Sequence, residues 1–198
     1  MESWLHKKVA GDVVKTSNKS TLEIGAGTLN HLKYEQPTTY DIIEPFAELY
    51  QNSKHLKRIN TIYSDIDEID LSKEYDRITS IATFEHILDL PKVVAKTCLL
   101  LKKDGALRIA IPNEGTFLWK LGWKLTTGIE FKLKYRLDYG LLMKYEHVNT
   151  AMEIETILKH FYNKVNSASF GIHKKIALYR FFECKNANID HARKFLNF

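Results

Sequence analysis

Short apolar runs and longer amphipathic stretches alternate along the first 112 residues. The opening stretch, to about residue 16, predicts a helix whose apolar side carries Trp4, Leu5, Val9, Val13 and Val14. Five apolar runs bounded by turn residues predict strands at 20–24, 39–44, 59–63, 75–81 and 106–111. Helical stretches follow at 46–54 and at about 91–102, and a Lys103-Asp104-Gly105 turn precedes the fifth strand. This alternation is typical of a parallel sheet covered by helices on both faces.

The C-terminal third has a different order of elements. A helix is predicted at 150–161, with Thr150 or Asn149 as its N-cap and Glu153 completing a capping box. Two further strands are predicted at 165–170 and 176–184, joined by Gly171-Ile172-His173. Strands this close must pair antiparallel, because a parallel crossover needs about a dozen residues or more.

Chain length and composition fit one folded domain. The 198 residues, 44% hydrophobic and 27% charged, are enough to bury a core. Together with the pattern of elements they predict a single domain over residues 1–198. Its fold class would be α/β, with a doubly wound, mostly parallel seven-stranded sheet that ends in a C-terminal antiparallel β-hairpin and carries helices on both faces.

Cysteine usage and the N-terminus bear on the cellular compartment. Cys98 and Cys184 have no paired spacing, which argues against a disulfide framework and a zinc site. The N-terminus lacks the apolar run of a signal peptide, and no apolar run is long enough to span a bilayer. We therefore expect a cytoplasmic protein. The net charge of +5 is compatible with nucleic acid, anionic lipid or a phosphorylated substrate, and equally with solubility alone.

The strongest local signal for a ligand is the glycine turn after the first strand. Gly25 and Gly27 leave no side chains at the mouth of the sheet, so a ligand can approach the backbone closely. Glu44 ends the second strand 19 residues after Gly25, where a carboxylate can accept hydrogen bonds from both hydroxyls of a ribose. Together these features favour a nucleoside ligand over a tight turn and a solvated acid. The dinucleotide fingerprint needs a third glycine where Asn30 stands, which weakens a nicotinamide interpretation.

The run of motifs LEIGAGT, DIIEP, YSDIDEI and YDRITSIATFEHILDLPKVVAKTCLLLKKDGALRIAIPNEG resembles class I, Rossmann-like S-adenosylmethionine-dependent methyltransferases. It is most similar to the branch that modifies small molecules, quinones, lipids and sugars. The resemblance covers about residues 20–114, and the terminal hairpin agrees with it. It implies S-adenosylmethionine as the cofactor.

The resemblance also implies one cofactor site at the ends of successive strands. Its residues would be Glu23, Gly25, Gly27, Glu44, Pro45, Asp65, Ile66, Ala82 and Thr83. Glu23 and the two glycines would form the wall around the methionine and ribose, and Glu44 would hold the ribose diol. Asp65 would accept from the adenine amino group, with an Asx turn as its structural alternative, and the Ile66 backbone would lie on the ring edge. The backbone around Ala82 and Thr83 would face the methionine amino group.

Methyl transfer from a sulfonium is an in-line displacement, so the enzyme aligns the reactants and removes a proton where the acceptor is a hydroxyl. Candidate bases are His147, His86 and Glu114. Related enzymes often bring a histidine to the pocket at the position of His147, although a surface histidine is an alternative. Glu85 and His86 can also simply begin a helix, where a glutamate favours the dipole. No clustered Asp-Asn ligands follow the fourth or fifth strand, so no metal site is predicted.

Residues 115–149 are predicted to be an insertion or lid for the acceptor. The span 115–147 carries seven aromatic residues, and six Lys or Arg against three acidic residues. This composition fits a small-molecule acceptor with an apolar part and anionic groups, and equally an insertion with a small core of its own. The same aromatic and basic composition is compatible with peripheral contact with a membrane surface.

The residues at the end of the fourth strand argue against nucleic acid as a partner. That strand ends Ile81-Ala82-Thr83-Phe84, without the Asn/Asp-Pro-Pro-aromatic clamp of base-amino methyltransferases, and Cys98 is expected to be buried in a helix. The sequence therefore predicts methyl transfer to a small-molecule, sugar or lipid-type acceptor, at oxygen. The alternatives are an RNA methyltransferase and a catalytically inactive methyltransferase-like binding module.

Overall fold

The computed structural model describes residues 2–13, 18–36, 38–113, 147–171 and 177–198. In these ranges the helices are α1 Glu2–Ala10, α2 Ala47–Tyr50, α3 Leu90–Leu100, α4 Ala151–Phe161 and α5 Ile189–Leu196. The strands are β1 Ser20–Ile24, β2 Thr39–Ile43, β3 Thr61–Tyr63, β4 Tyr75–Ile81, β5 Leu101–Pro112, β6 Tyr162–Phe170 and β7 Tyr179–Ala187.

The seven strands form one sheet in the order β3-β2-β1-β4-β5-β7-β6. The pairs from β3 through β5 are parallel, whereas β7 pairs antiparallel with both β5 and β6. The order reverses direction between β1 and β4, and open α/β sheets bind ligands in the crevice beyond the carboxyl ends at such a switch point. The predicted fold class, with its C-terminal antiparallel hairpin, is confirmed.

Two predicted helices are shorter in the structure. The N-terminal helix ends at Ala10, directly before Gly11, and not near residue 16. Of the predicted helix at 46–54, only α2 is an α-helix in the structure. Tertiary hydrogen bonds hold the residues that follow it. Arg58 there donates to the carbonyls of Leu32 and Glu35, both at 2.6 Å. These contacts anchor the segment before β3 to the loop after β1, and β3 begins only at Thr61.

The remaining boundary corrections lie on the C-terminal side of the sheet. The predicted turn at 103–105 lies inside β5, where the ladder slips from Tyr75↔Leu101 to Arg77↔Ala106 and leaves the intervening residues unpaired with β4. β6 begins at Tyr162, three residues early, and β7 spans Tyr179–Ala187 in place of 176–184. Helix α5 was not predicted. The capping box of α4, between Thr150 and Glu153, is confirmed.

The two faces of the sheet bury different side chains. One face packs Leu22, Ile78 and Ile109 with residues of α3, α4 and α5 in the main core. Cys98 of α3 lies in this core, buried as predicted, and Cys184 of β7 is buried there too. On the opposite face α1 packs Leu5 and Val9 against Ala110 of β5 and Phe181 of β7. Successive side chains of β5 point to opposite faces of the sheet, so this strand contributes to the core on both sides.

A buried ion network fixes α1 on the sheet. Arg77 of β4 is fully buried, and its guanidinium lies 2.6 Å from Glu35 and 3.2 Å from Asp12. Arg77 and Arg108 of β5 both donate to the carbonyl of Val9, at 3.1 and 2.8 Å. The last carbonyls of a helix have no partner within the helix, so these two guanidinium groups satisfy one at the end of α1.

Removing Glu35 should destabilise the fold in a pH-dependent manner. Burial alone would raise the pKa of Glu35, but the hydrogen bonds and charges of His31 and Arg77 lower it to about 2 from 4.5. A depressed carboxyl pKa stabilises the fold above pH 4.5, and this contribution is lost as pH falls toward 2. We expect Glu35→Gln to cost roughly 3–5 kcal/mol at pH 7, because it removes the nearer of the two carboxylates that pair with the buried charge of Arg77.

Urea unfolding of the wild type and Glu35→Gln at pH 7 and pH 3 measures this effect. The difference between the two proteins should shrink at pH 3. The exposed Glu48→Gln is the matched control and should change little at either pH. An equal difference at both pH values would show that the ion pair does not account for the loss.

Candidate functional site

A pocket of about 940 Å³ lies at the switch point of the sheet. Its walls are the turns that follow β1, β2, β3 and β4, with the carboxyl end of β5 and the side chains of Leu5 and His6 from α1. The pocket brings together all nine predicted cofactor residues, and also His86 and His147. The remaining candidate, Glu114, and the predicted insertion up to residue 146 lie outside the described residues.

The two glycines of the β1 turn have different roles. Both have positive φ, 71° at Gly25 and 49° at Gly27. A Cβ on Gly25 would lie 2.2 Å from the Thr83 hydroxyl oxygen, so no side chain fits between the ends of β1 and β4. A Cβ on Gly27 would meet nothing within 4 Å. Gly25 therefore permits close packing of the strand ends, and Gly27 borders the open pocket.

Glu44 is held by backbone donors from two turns. Its Oε2 accepts from the Gly27 amide at 2.8 Å and its Oε1 from the Phe46 amide at 3.1 Å. The residue is buried, 6% exposed, and lines the pocket. These bonds fix the plane of the carboxylate, and each oxygen keeps a second lone pair for a donor in the pocket. The arrangement is suited to a diol.

Glu23 lies deeper in the same wall. Burial raises its pKa to about 7, although the charge of His31 and the hydrogen bond from Tyr40 both act to lower it. The Tyr40 hydroxyl donates to Oε2 at 2.8 Å. Glu23 therefore titrates near neutral pH, and a positively charged group at this wall would favour its ionised form.

Asp65 lies at the pocket wall and also closes a turn. Its Oδ1 accepts from the Asp67 amide at 2.8 Å, which is the Asx-turn alternative considered from the sequence. Asp65 and Ile66 nevertheless both line the pocket. The turn positions the residue without removing it from the site.

The end of β4 turns sharply into the pocket. Ala82 has a φ of 51°, in the left-handed region that a residue with a side chain rarely adopts, and its amide donates to the Ala110 carbonyl at 2.8 Å. Thr83 follows, and its hydroxyl donates to the Gly25 and Ile81 carbonyls. Backbone strain of this kind concentrates at functional sites, and here it directs the chain after β4 toward the pocket.

Glu85, His86 and His147 form a cluster beside this turn. Residues Phe84–His86 form a short 3-10 turn of their own, and α3 begins at Leu90, close to the predicted start at about residue 91. Glu85 is 2% exposed, and the His86 and His147 rings lie 4.4 Å apart between centroids. One ligand atom from each of the three residues lies within 4.8 Å of the others.

Four hydrogen bonds attach the segment that carries His147 to the turn after β4. The Val148 and Asn149 amides both donate to the Glu85 carbonyl, at 2.9 and 3.1 Å. The Asn149 side chain donates to the Phe84 and Ile87 carbonyls at 3.0 and 2.6 Å. Asn149 is thus a bridge between segments, and Thr150 is the cap of α4.

Sequence reasoning missed several residues of the site. Glu85 is considered from the sequence only as a residue at a helix start, although its position before His86 at a strand end is a usable signal. His6 and His31 both line the pocket with their Nδ1 atoms 3.1 Å apart. Tyr40 supports Glu23 from β2. No local pattern connects these positions, since only the packing of α1 and the sheet brings them together.

The chain matches a family model described as a methyltransferase domain over residues 3–162. Two curated relatives are malonyl-[acyl-carrier protein] O-methyltransferases. The one from Priestia megaterium is 33% identical over 48% of this chain and 38% of its own length. The one from Acetivibrio thermocellus is 26% identical over 96% of this chain and 70% of its own length. The chain thus spans well under half of the first relative.

Among solved structures, the fold is similar to the N-methyltransferase NodS from Bradyrhizobium japonicum WM9 in complex with S-adenosyl-L-homocysteine. The TM-score is 0.62 at 14% identity, over 93% of this chain and 85% of NodS, so the likeness concerns the fold. None of the helices in the described part of the chain combines the length and apolar character that crossing a bilayer requires. The family match confirms the resemblance drawn from the motifs. The chain belongs to the methyltransferase domain family.

Proposed function

We propose that this enzyme transfers the methyl group of S-adenosylmethionine to an oxygen of a small-molecule, sugar or lipid-type acceptor. The observation that carries the proposal is that one pocket joins a fixed carboxylate, Glu44, to a cluster of proton-accepting groups at the end of β4. The first suits the ribose of the donor, and the second suits an acceptor that must lose a proton.

The donor would bind along the strand ends from β1 to β4. The ribose hydroxyls would donate to Glu44, whose plane Gly27 and Phe46 hold, and Pro45 would border this wall. The adenine would lie near Asp65 and the Ile66 backbone. The methionine part would pass Glu23 and the glycine turn toward the backbone at Ala82 and Thr83. Carboxylate and carbonyl acceptors in the pocket then match the hydroxyl and ammonium donors of the ligand.

The acceptor would enter from the side of the Glu85, His86 and His147 cluster. His147 takes the proton of an attacking hydroxyl, and His86 is the second candidate, because both line the pocket beside the turn where the methionine end of the donor would lie. The relatives named for malonyl-[acyl-carrier protein] act on a group that ends in a carboxylate, which needs no base. The two histidines favour a hydroxyl acceptor for this enzyme. The predicted lid would cover the acceptor and supply its apolar and anionic specificity.

Cofactor preference tests the proposed donor site. We expect the purified protein to bind S-adenosylmethionine and S-adenosylhomocysteine, and to bind NAD much more weakly, because Asn30 replaces the third glycine beneath a pyrophosphate. Isothermal titration with each ligand measures this. Tighter binding of NAD would reject the proposed donor.

Substitution of Glu44 tests the ribose contact. A hydrogen bond to a charged acceptor contributes roughly 1.5–3 kcal/mol, so Glu44→Ala should weaken S-adenosylmethionine binding by at least about tenfold. Glu48→Ala on exposed α2 is the matched control and should bind normally. Because Glu44 also accepts from Gly27 and Phe46, a thermal melt of each apo protein separates lost binding from lost stability. Unchanged affinity in a folded Glu44→Ala protein would place the ribose elsewhere.

Substitution of His147 tests the acceptor side. Turnover is first detected with a methyl-donor screen of nucleotide sugars, phenols, lipid precursors, a malonyl thioester and RNA. With a hydroxyl acceptor, His147→Ala should lower turnover by roughly 10²-fold with little change in donor affinity. The exposed His160→Ala is the control. Normal turnover in His147→Ala would reject His147 as the base and leave His86, or a mechanism that depends on alignment alone. Turnover with RNA and with no small molecule would reject the proposed acceptor class.

A further inference from the structure

Three residues with metal-binding side chains converge on the acceptor side of the pocket. Glu85, His86 and His147 each offer one ligand atom, and these atoms lie within 4.8 Å of one another. We propose that these three residues bind a divalent first-row transition cation such as Zn²⁺, and that the cation binds the acceptor oxygen. This inference rests on the proposed function, since it specifies how that cluster would activate the acceptor.

The backbone holds the ligands in place without the metal. Glu85 and His86 belong to one 3-10 turn whose position follows from the end of β4. His147 comes from a distant part of the chain, but its segment is attached to that turn by the four hydrogen bonds of Val148 and Asn149. A site assembled in advance loses less conformational entropy when the ion binds.

Distances and burial agree with a metal site. His86 Nε2 lies 3.9 Å from Glu85 Oε1. Zn²⁺ bonds of about 2.0–2.2 Å place ligand atoms roughly 3.3–3.6 Å apart in a tetrahedron. Side-chain rotations that move the ligand atoms by about an ångström would bring them to this spacing. The Glu85 side chain is 3% exposed, and that of His86 is 41% exposed. A buried carboxylate supplies negative charge, and the exposed side leaves access for the ion and the acceptor.

The donor set indicates the class of cation. Two imidazoles and one carboxylate suit Zn²⁺, Mn²⁺ or Fe²⁺, whereas Mg²⁺ prefers oxygen ligands alone. Three protein ligands leave a coordination position for a further oxygen, as in catalytic zinc sites. The cysteines are excluded, because Cys98 and Cys184 are both buried in the core.

A cation at this position would change how the proton is removed. An acceptor hydroxyl bound to it has a lowered pKa, so its O–H bond breaks and the proton passes to solvent at neutral pH. The bound oxygen then forms a bond to the methyl carbon as the carbon–sulfur bond breaks. The electron pair of that bond stays on sulfur, which leaves as neutral S-adenosylhomocysteine. His147 would act as a ligand, and its substitution would still lower turnover.

Direct metal titration tests the proposal independently of activity. The full chain is purified with a tag that lacks histidine, stripped with a chelator, and titrated with ZnCl₂ by calorimetry and with CoCl₂ by visible absorption. All proteins carry His191→Ala, because His160 Nε2 and His191 Nε2 lie 2.6 Å apart on the surface and can bind a cation themselves. We expect one equivalent of Zn²⁺, a Co²⁺ spectrum with nitrogen and oxygen ligands, and no binding of MgCl₂.

Substitutions within the cluster then locate the bound ion. His86→Ala, His147→Ala and Glu85→Gln should each weaken Zn²⁺ binding at least tenfold, whereas the matched control His55→Ala should bind normally. Glu85→Gln keeps the size of the buried side chain, and a thermal melt shows that each variant folds. Zn²⁺ binding that none of the three substitutions alters, or no stoichiometric binding by the folded protein, would overturn the proposal.

Donor titrations on the same samples separate this inference from the proposed function. Chelator-treated protein that binds S-adenosylmethionine and transfers methyl groups at the full rate would reject the metal and retain the methyltransferase with His147 as base. Protein that binds Zn²⁺ at the cluster but transfers no methyl group to any oxygen acceptor would retain the metal site and reject the proposed reaction.

Discussion

The buried guanidinium of Arg77 determines where the separate parts of this fold meet. It lies near the start of β4, beside β1, and binds Glu35 from the loop after β1 and Asp12 from the turn after α1. It also donates to the Val9 carbonyl at the end of α1. A buried charge needs partners on every side, so these segments have little freedom to move independently. The position of α1, which forms one wall of the pocket, depends on this constraint.

The same network extends to the wall of the pocket. Glu35 contacts His31 at 3.3 Å, and His31 contacts His6 of α1 and contributes to the pKa of Glu23. Burial is the main cause of the raised pKa of Glu23, and the charges of His31, Glu35 and Arg77 also act on it. This wall of the pocket is thus connected to a network that begins at the opposite end of the strands. Side chains that stabilise the fold thus also form part of the pocket wall.

Features formed by residues close together in sequence could be predicted, whereas those formed by residues far apart could not. The glycine turn and Glu44 were predicted because each is a local signal at a strand end, and the alternation of strands and helices predicted the sheet. Boundaries were less accurate where tertiary hydrogen bonds replace helix, as with Arg58. The meeting of His147 with Glu85 depends on Asn149, whose bonds to the turn after β4 span 62 and 65 residues. No periodicity or local motif encodes such a contact.

Packing between Gly25 and Thr83 links the two halves of the pocket. Thr83 occupies the space that a side chain on Gly25 would need, so the end of β4 lies directly against the glycine turn after β1. The left-handed Ala82 precedes this contact, and the 3-10 turn with Glu85 and His86 follows it at once. Backbone packing therefore sets the separation between the turn after β1 and the turn that carries Glu85 and His86. Since in-line transfer depends on alignment to within fractions of an ångström, this is the element of the fold on which the chemistry depends most directly.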